Sequence, residues 1–159
     1  VGGNCIFTFF GIIPNFPPNE ILPQLRALIK PEDRLLISAN LAPNGIAAIL
    51  PQYDNSPTRE WLSEFPRAHG AGKGTVKITI ESDSAIERIA ADFHFEEACT
   101  MCANDEPFNF SSGDVIRLFV SYRYTLQSLA ATLLAHGILI NDAFLSESEE
   151  EGVFLCGLQ

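Results

Sequence analysis

The sequence predicts an α/β fold, and three observations support this. Residues 5–13 form a short apolar run without polar alternation, which is typical of a central strand covered on both faces of a sheet. An amphipathic helical pattern at 19–30 and a second apolar run at 34–40 follow after short connections. Strand, helix and strand in this order indicate a right-handed crossover between parallel strands. The last 36 residues, 124–159, return to the same helix-and-strand texture.

The first run ends in a proline-rich turn at 14–18, and Asn15 is the first polar side chain after it. Open α/β sheets bind ligands just beyond the carboxyl ends of their strands, so a small molecule is expected near Asn15. The helix at 19–30 has its apolar residues on one face, and we expect Asn19 to cap it. The second strand then covers 34–40.

The sequence of residues 42–123 predicts a β-rich insertion that contains several strands and a short helix. A short helix from Thr58 to Phe65 is expected, capped at Ser56 or Thr58, followed by a glycine-rich link at 68–74. Strands are predicted at 75–80, after Arg88 to residue 95, and at 115–123.

The end of the chain predicts one helix and a β-hairpin. Thr125 is a suitable cap for a helix at 126–136, and Gly137 is a suitable stop. Two strands, 138–145 and 152–158, flank an acidic joint at 146–151 that suits an exposed turn.

Composition excludes several classes of function. The chain has 159 residues and a formal net charge of −10, and its ten Lys and Arg residues are scattered, so no nucleic-acid partner is expected. No run approaches the roughly 18–20 apolar residues of a bilayer span, so no membrane partner is expected. No signal peptide is recognisable, and the four cysteines suit reduced core thiols, so a cytoplasmic location is expected.

Three polar clusters could carry chemistry, and each has a structural alternative. Asn15 could recognise an amino or carboxylate group, or it could simply shape the turn that follows the strand. The segment 51–55, with Tyr53, is typical of a small-ligand pocket, but it would serve equally well as a polar turn. The segment 121–124, with Ser121 and Arg123, could orient a polar substrate or form a sheet edge.

Cys99 and Cys102 have the spacing of a redox or zinc motif, but a zinc site needs two more ligands and His94 is the only candidate nearby. We therefore expect no metal site. No Ser, Cys or His has the context of a catalytic triad, so no catalytic residue is assigned.

Several short motifs, in order and spacing, resemble the histidine-specific S-adenosylmethionine-dependent methyltransferases, the family of the ergothioneine-pathway histidine N-alpha-methyltransferase. The matching segments are 10–16, 22–36, 38–41, 52–55, 113–124 and 135–137. They correspond to the carboxyl-terminal part of that family's domain. By this resemblance, residues 1–41 and 124–159 supply the later strands and helices of a class I methyltransferase Rossmann-like sheet, and 42–123 form the substrate-binding insertion.

The resemblance also implies site residues. Asn15 matches the asparagine that holds the substrate amino group, and Tyr53 matches a tyrosine that contacts the substrate carboxylate. Ser121 matches a serine that helps to fix the imidazole. Gly11 is assigned to the cofactor, S-adenosylmethionine. Phe119 stands where the family has a glutamate that pairs with the imidazole, so selectivity for histidine does not follow. The family's glycine-rich cofactor loop and ribose-binding acid would precede Val1, so the isolated chain is expected to be inactive.

Two functional hypotheses follow from these residues. The first is the substrate-binding part of an N-methyltransferase that acts on an amino acid or a similar small amine. The second is a non-catalytic dimerising or ligand-binding module derived from that fold. In either case, we expect the apolar first strand to be covered by a second copy or by the missing N-terminal half.

Overall fold

A four-stranded mixed sheet joins the two ends of the chain. The computed structural model describes residues 3–83 and 86–159. Residues 1 and 2 of the predicted segment 1–41 lie outside the described residues. The elements, in chain order, are β1 (Ile6–Phe9), α1 (Pro18–Leu28), β2 (Arg34–Asn40), α2 (Ile46–Tyr53), α3 (Ser56–Ala68), β3 (Gly74–Asp83), β4 (Ile86–Phe95), β5 (Cys99–Ala103), β6 (Glu106–Phe110), β7 (Val115–Arg123), α4 (Leu126–Ala135), β8 (Ile138–Leu145) and β9 (Glu151–Leu158).

The sheet confirms the predicted α/β fold class. Its strand order is β1, β2, β9, β8, and β1 pairs with β2 in parallel, as the strand–helix–strand pattern predicts. Strand β9 lies between β2 and β8 and is antiparallel to both. Three of the four strands therefore run in one direction, and the last strand of the chain runs against them.

The prediction that the first strand is central and covered on both faces is wrong for the described residues. β1 is an edge strand that pairs only with β2, and 67% of Ile6 is exposed. Apolar composition predicts burial but cannot say which neighbour provides it, and no described strand lies along the outer edge of β1.

Two predicted helix caps are also wrong. α1 begins after Pro17 without a side-chain cap, because Pro18 fixes the first helical residue and Asn19 already lies inside the helix. α3 is capped by Asn55, whose side chain accepts a hydrogen bond from the N–H of Thr58 at 3.0 Å.

The cap of α4 is confirmed. The side chain of Thr125 accepts a hydrogen bond from the N–H of Ser128, and the Ser128 hydroxyl accepts one from the N–H of Thr125. The two residues therefore form a reciprocal capping box that satisfies two backbone donors at the helix start.

Residues 42–123 contain more helix than their turn signals suggest. β3, β4 and β7 form an antiparallel sheet, and β5 and β6 form a separate hairpin that sequence analysis missed. α2 was also missed, since Gly45 and Pro51 favour a loop locally. Burial of Ile46 and Ile49 in the core beside this sheet overrides that local preference.

Two apolar clusters stabilise the structure. The first lies on the four-stranded sheet and includes residues from both ends of the chain, among them Leu25, Ile37, Leu133 and Phe154. The second lies on the antiparallel sheet and includes Ile49, Leu62, Ile89 and Phe93.

One carboxylate fastens the start of β1 to the turn before β2. Asp33 accepts hydrogen bonds from the backbone N–H groups of Lys30 and Cys5, each at 2.9 Å. These two bonds, that of Lys30 first, hold the pKa of the Asp33 carboxyl below its ordinary value. The charged form is therefore the one that stabilises the folded chain.

We expect protonation of the Asp33 carboxylate to lower the free energy of unfolding in acid. Because its folded pKa is lowered, its contribution is complete above the unfolded value of about 3.9 and is lost as pH falls through the folded pKa. Asp33→Asn should therefore be less stable than the wild type at pH 7 and lose less stability between pH 5 and pH 2. Urea unfolding across that range measures both effects. Glu32→Gln, which removes an exposed neighbouring carboxylate, is the matched control, and equal acid sensitivity of Asp33→Asn and the wild type would contradict the assignment.

Candidate functional site

The carboxyl ends of β1 and β2 bring Gly11 and Asn15 together. The N–H of Gly11 donates to the Ser38 hydroxyl at 2.8 Å, and the Asn15 side-chain amide donates to the Gly11 carbonyl at 2.6 Å. Gly11 has a φ of +70° and open space where a Cβ would lie. A glycine is therefore suited to this turn, which allows close approach to its backbone.

The contact with Gly11 fixes the orientation of the Asn15 carboxamide. A carbonyl oxygen can only accept, so the Asn15 nitrogen must face Gly11 and its Oδ1 must face the other way. Asn15 is exposed, and this oxygen can accept a hydrogen bond from an amine. The contact of Asn15 with a substrate amine, which the family resemblance implies, stays a prediction.

A groove of about 400 Å³ lies at the same end of the sheet. It extends from the end of β2 to the turn between β8 and β9, where the strands meet. Its lining residues include Gly11, Ser38, Asn40, Phe144, Ser146 and Glu151. Gly11 therefore lies where a ligand of an α/β sheet is expected.

A second group of residues surrounds Tyr53, at the end of α2. The Tyr53 ring stacks on Phe119 with 5.6 Å between ring centroids and 24° between ring planes. On β7, Arg123 donates a hydrogen bond to the Tyr53 hydroxyl, and its guanidinium carbon lies 5.2 Å from the Tyr53 ring centroid. The structure thus brings two predicted substrate-binding residues, Tyr53 and Phe119, into contact.

Arg123 is a buried cation with incomplete hydrogen bonding. Only 8% of the residue is exposed, and its other hydrogen bond is a long one, 3.4 Å, to the Leu41 carbonyl. Its Nε has no partner among the described residues, and no carboxylate there forms an ion pair with it. The sequence places Arg123 in a polar run that could orient a substrate, but it does not show that the guanidinium is buried away from the described acids.

A cavity of about 220 Å³ adjoins Tyr53 and Phe119. No charged side chain lines it, and most of its wall is apolar or aromatic. The lining residues are Gln52, Tyr53, Thr58, Trp61, Leu62, Ile78 and Phe119. Its size suits one side chain rather than a drug-sized ligand, since cavities for such ligands are about 300–1,000 Å³.

The hydroxyl groups of the polar run at 121–124 are more deeply buried than those of a sheet edge would be. Ser121 is 1% exposed and is paired with Ile89 across the sheet. Directly after β7, the Tyr124 hydroxyl is buried and has no hydrogen-bond partner among the described residues. This burial, and then the proximity of Tyr122, raises the pKa of Tyr124. Ser121 does not line the cavity beside Tyr53, and its predicted contact with substrate stays a prediction.

The cysteines do not form a site in the described part of the chain. Cys99 and Cys102 are separated by three positions on β5, so their side chains leave opposite faces of the strand. All four cysteines are free thiols, and burial raises the pKa of Cys156 to about 12. Residues 3–83 and 86–159 contain no group of three or more His, Cys, Asp or Glu residues placed to hold a metal ion.

No helix in the described ranges has the length and apolarity needed to cross a lipid bilayer.

No protein-family model and no curated protein matches the chain. Among solved structures it is similar to the CcbJ methyltransferase of Streptomyces caelestis, with 11% identity and a TM-score of 0.44 over 98% of this chain and 61% of that one. It is also similar to an S-adenosylmethionine-dependent methyltransferase of Clostridium acetobutylicum, with 8% identity and a TM-score of 0.44 over 96% and 57% of the two chains.

A third similar structure is the glycopeptide N-methyltransferase MtfA in complex with S-adenosylmethionine, with 8% identity and a TM-score of 0.41 over 97% of this chain. The chain spans between 57% and 61% of the length of these three solved proteins.

Proposed function

We propose that this chain is the substrate-binding part of an S-adenosylmethionine-dependent N-methyltransferase that acts on an amino acid or a similar small amine. One observation carries the proposal: two polar groups are held near the carboxyl end of β2. They are the Asn15 side-chain oxygen, which can accept from an amine, and the Tyr53 hydroxyl, which is hydrogen-bonded by the Arg123 cation. Asn15 is held there through Gly11 and Ser38, and Tyr53 through Arg123 and the Leu41 carbonyl. Ser38 and Leu41 are three residues apart, about 10 Å along an extended strand.

These groups suit the two ends of an amino acid. The Asn15 Oδ1 can accept an N–H of the substrate amine, and this leaves the nitrogen lone pair available for attack. The Tyr53 hydroxyl can donate to the carboxylate. Methyl transfer needs no covalent nucleophile from the protein, because orientation of a neutral amine towards an activated methyl group accounts for most of the rate.

S-adenosylmethionine would supply that activated methyl group. At the groove beside β2, Gly11 fits a close cofactor approach, since no side chain fills the space about its Cα. The family resemblance assigns the glycine-rich loop and the ribose-binding acid to residues outside this chain, so the described residues fit only part of the cofactor. We therefore propose that the chain alone binds the cofactor weakly and is inactive.

Two finer assignments belong to the same proposal. The motifs at 10–16, 52–55 and 113–124 favour the histidine-specific methyltransferase family, whereas Phe119 argues against histidine as the acceptor. A cytoplasmic location is supported by four free thiols, since a reducing compartment keeps cysteines in that state.

Titration calorimetry with S-adenosylmethionine and S-adenosylhomocysteine tests the cofactor assignment. We expect the longest protein that contains this sequence to bind both ligands at least a hundredfold more tightly than residues 1–159 alone. Tight binding by the 159-residue chain would keep the methyltransferase assignment and overturn the proposal that the chain alone binds the cofactor weakly. Absence of binding to both proteins would overturn the methyltransferase assignment.

A non-catalytic dimerising module is the second candidate, and the open edge of β1 favours it. Ile6, Phe10 and Phe16 are each about half exposed or more, at 67%, 55% and 48%. An unpaired apolar edge readily pairs with another strand. Sedimentation equilibrium of the wild type and of Ile6→Lys separates the candidates, because only a dimer formed through β1 becomes a monomer on this substitution.

A further inference from the structure

Arg123 is a buried positive charge whose partners are all neutral. It donates to the Tyr53 hydroxyl and the Leu41 carbonyl, and its Nε is left without a partner in the described parts of the chain. Burying a charge without an opposite charge is costly, and buried cations in folded proteins are normally paired. The missing partner is therefore an anion that the described residues do not supply.

Tyr53 connects this charge to the cavity. Its hydroxyl oxygen accepts a hydrogen bond from Arg123, so the hydroxyl proton is directed to another acceptor. Its ring contacts both the guanidinium and Phe119, and Tyr53 lines the cavity. Tyr53 thus presents one oriented donor with a positive charge behind it, an arrangement that favours a carboxylate.

The cavity itself favours an uncharged group. Its walls include Trp61, Leu62, Ile78 and Phe119, and no acid is present to pair with an imidazolium or an ammonium group. Gln52 and Thr58 also line the cavity, but neither carries a charge, so a charged side chain would lose its hydration without gaining an ion pair. The volume of about 220 Å³ suits an aliphatic or aromatic side chain.

We propose that the site takes amino acids with an apolar or aromatic side chain, which occupies the cavity while the carboxylate binds the Tyr53 hydroxyl. Arg123 acts as a positioning residue that holds Tyr53 and supplies the positive charge. This inference rests on the proposed function for the role of the ligand as methyl acceptor, although the binding preference can be measured without the cofactor.

Trp61 is the single tryptophan of the chain and lines the cavity, so its fluorescence reports on ligand entry. The probes are L-phenylalanine, L-phenylalaninamide, which lacks the carboxylate, and L-histidine, which replaces the phenyl ring with imidazole. Titrated into residues 1–159, L-phenylalanine should change the emission and bind at least tenfold more tightly than either other probe. Equal binding of L-phenylalaninamide, tight binding of L-histidine, or no response to L-phenylalanine would overturn the proposal.

Substitutions separate the charge from the fold. Arg123→Met should weaken L-phenylalanine at least tenfold without changing the affinity for L-phenylalaninamide, and Arg123→Lys should restore part of the loss. Arg67→Met removes an exposed arginine of α3 and should bind as the wild type does. Circular dichroism confirms that each variant is folded, and equal loss for both probes in Arg123→Met would reduce Arg123 to a structural role.

The two proposals fail in different ways. Cofactor binding by the longer protein together with no response to L-phenylalanine overturns the substrate class alone. A response to L-phenylalanine together with no cofactor binding keeps the ligand class and removes the methyltransferase.

Discussion

Arg123→Met is expected to leave the free energy of unfolding unchanged, or to raise it by up to about 2 kcal/mol. Most substitutions of a buried residue destabilise, so this result would be unusual. It follows from the surroundings of the guanidinium, which is buried, has an unpaired Nε and has no ion pair with a described carboxylate. Methionine keeps much of the side-chain volume and removes the desolvated charge.

Tyr53→Phe should act in the opposite direction. It removes the hydroxyl that accepts from Arg123 and leaves a second buried donor unsatisfied, at a cost of about 1–3 kcal/mol. In the double variant, Arg123→Met with Tyr53→Phe, the loss of stability caused by Tyr53→Phe should disappear, because the guanidinium donors are no longer present. A double-mutant cycle by urea unfolding measures the coupling directly.

A loss of more than about 3 kcal/mol in Arg123→Met would contradict this account, since it would show that the cation is fully satisfied in the folded chain. Proteins keep destabilising groups where binding requires them, and substitution there commonly raises stability while it lowers function. A stable variant that has lost affinity for carboxylates would therefore place Arg123 in the binding site rather than in the core.

The sequence predicts the individual strands and helices of the four-stranded sheet well, because their signals are local. The apolar run at 34–40 and the cap at Thr125 each depend on residues that are neighbours in the chain. The edge position of β1 depends instead on which strands pair, and an apolar run looks the same at the centre and at the edge. α2 was missed for a related reason, since its helix depends on packing of Ile46 and Ile49 rather than on propensity.

The sequence predicts which residues are candidates for the site, but it does not predict which of them lie together. Tyr53 and Phe119 are 66 positions apart, and only the packing of α2 on the antiparallel sheet makes them stack. The sequence places Arg123 in a run that could orient a polar substrate, but it does not predict its burial, because a charged residue in a polar run is ordinarily exposed. Its importance comes from the lack of an ion pair with any described carboxylate, which is a property of three-dimensional packing.

Phe154→Ala is expected to cost about 3–5 kcal/mol, the range measured when a buried aromatic side chain is removed. Phe154 is fully buried and lies on β9, opposite Ile37 of β2 on one side and Ala143 of β8 on the other. A Cβ added at Gly152 would lie 2.6 Å from the Phe154 ring, so the ring fills its space closely. The cavity left by alanine cannot readily close within a paired strand.

Phe144→Ala is the matched control, because Phe144 belongs to the neighbouring strand β8 and is 59% exposed. Its substitution should change the free energy of unfolding by about 0.5 kcal/mol or less. Urea unfolding at constant m-value measures both variants. Equal effects would contradict the placement of β9 between β2 and β8, since that placement alone makes one phenylalanine of the hairpin part of the core and leaves the other at the surface. A difference of several kcal/mol would show that the two ends of the chain are held together by this antiparallel strand.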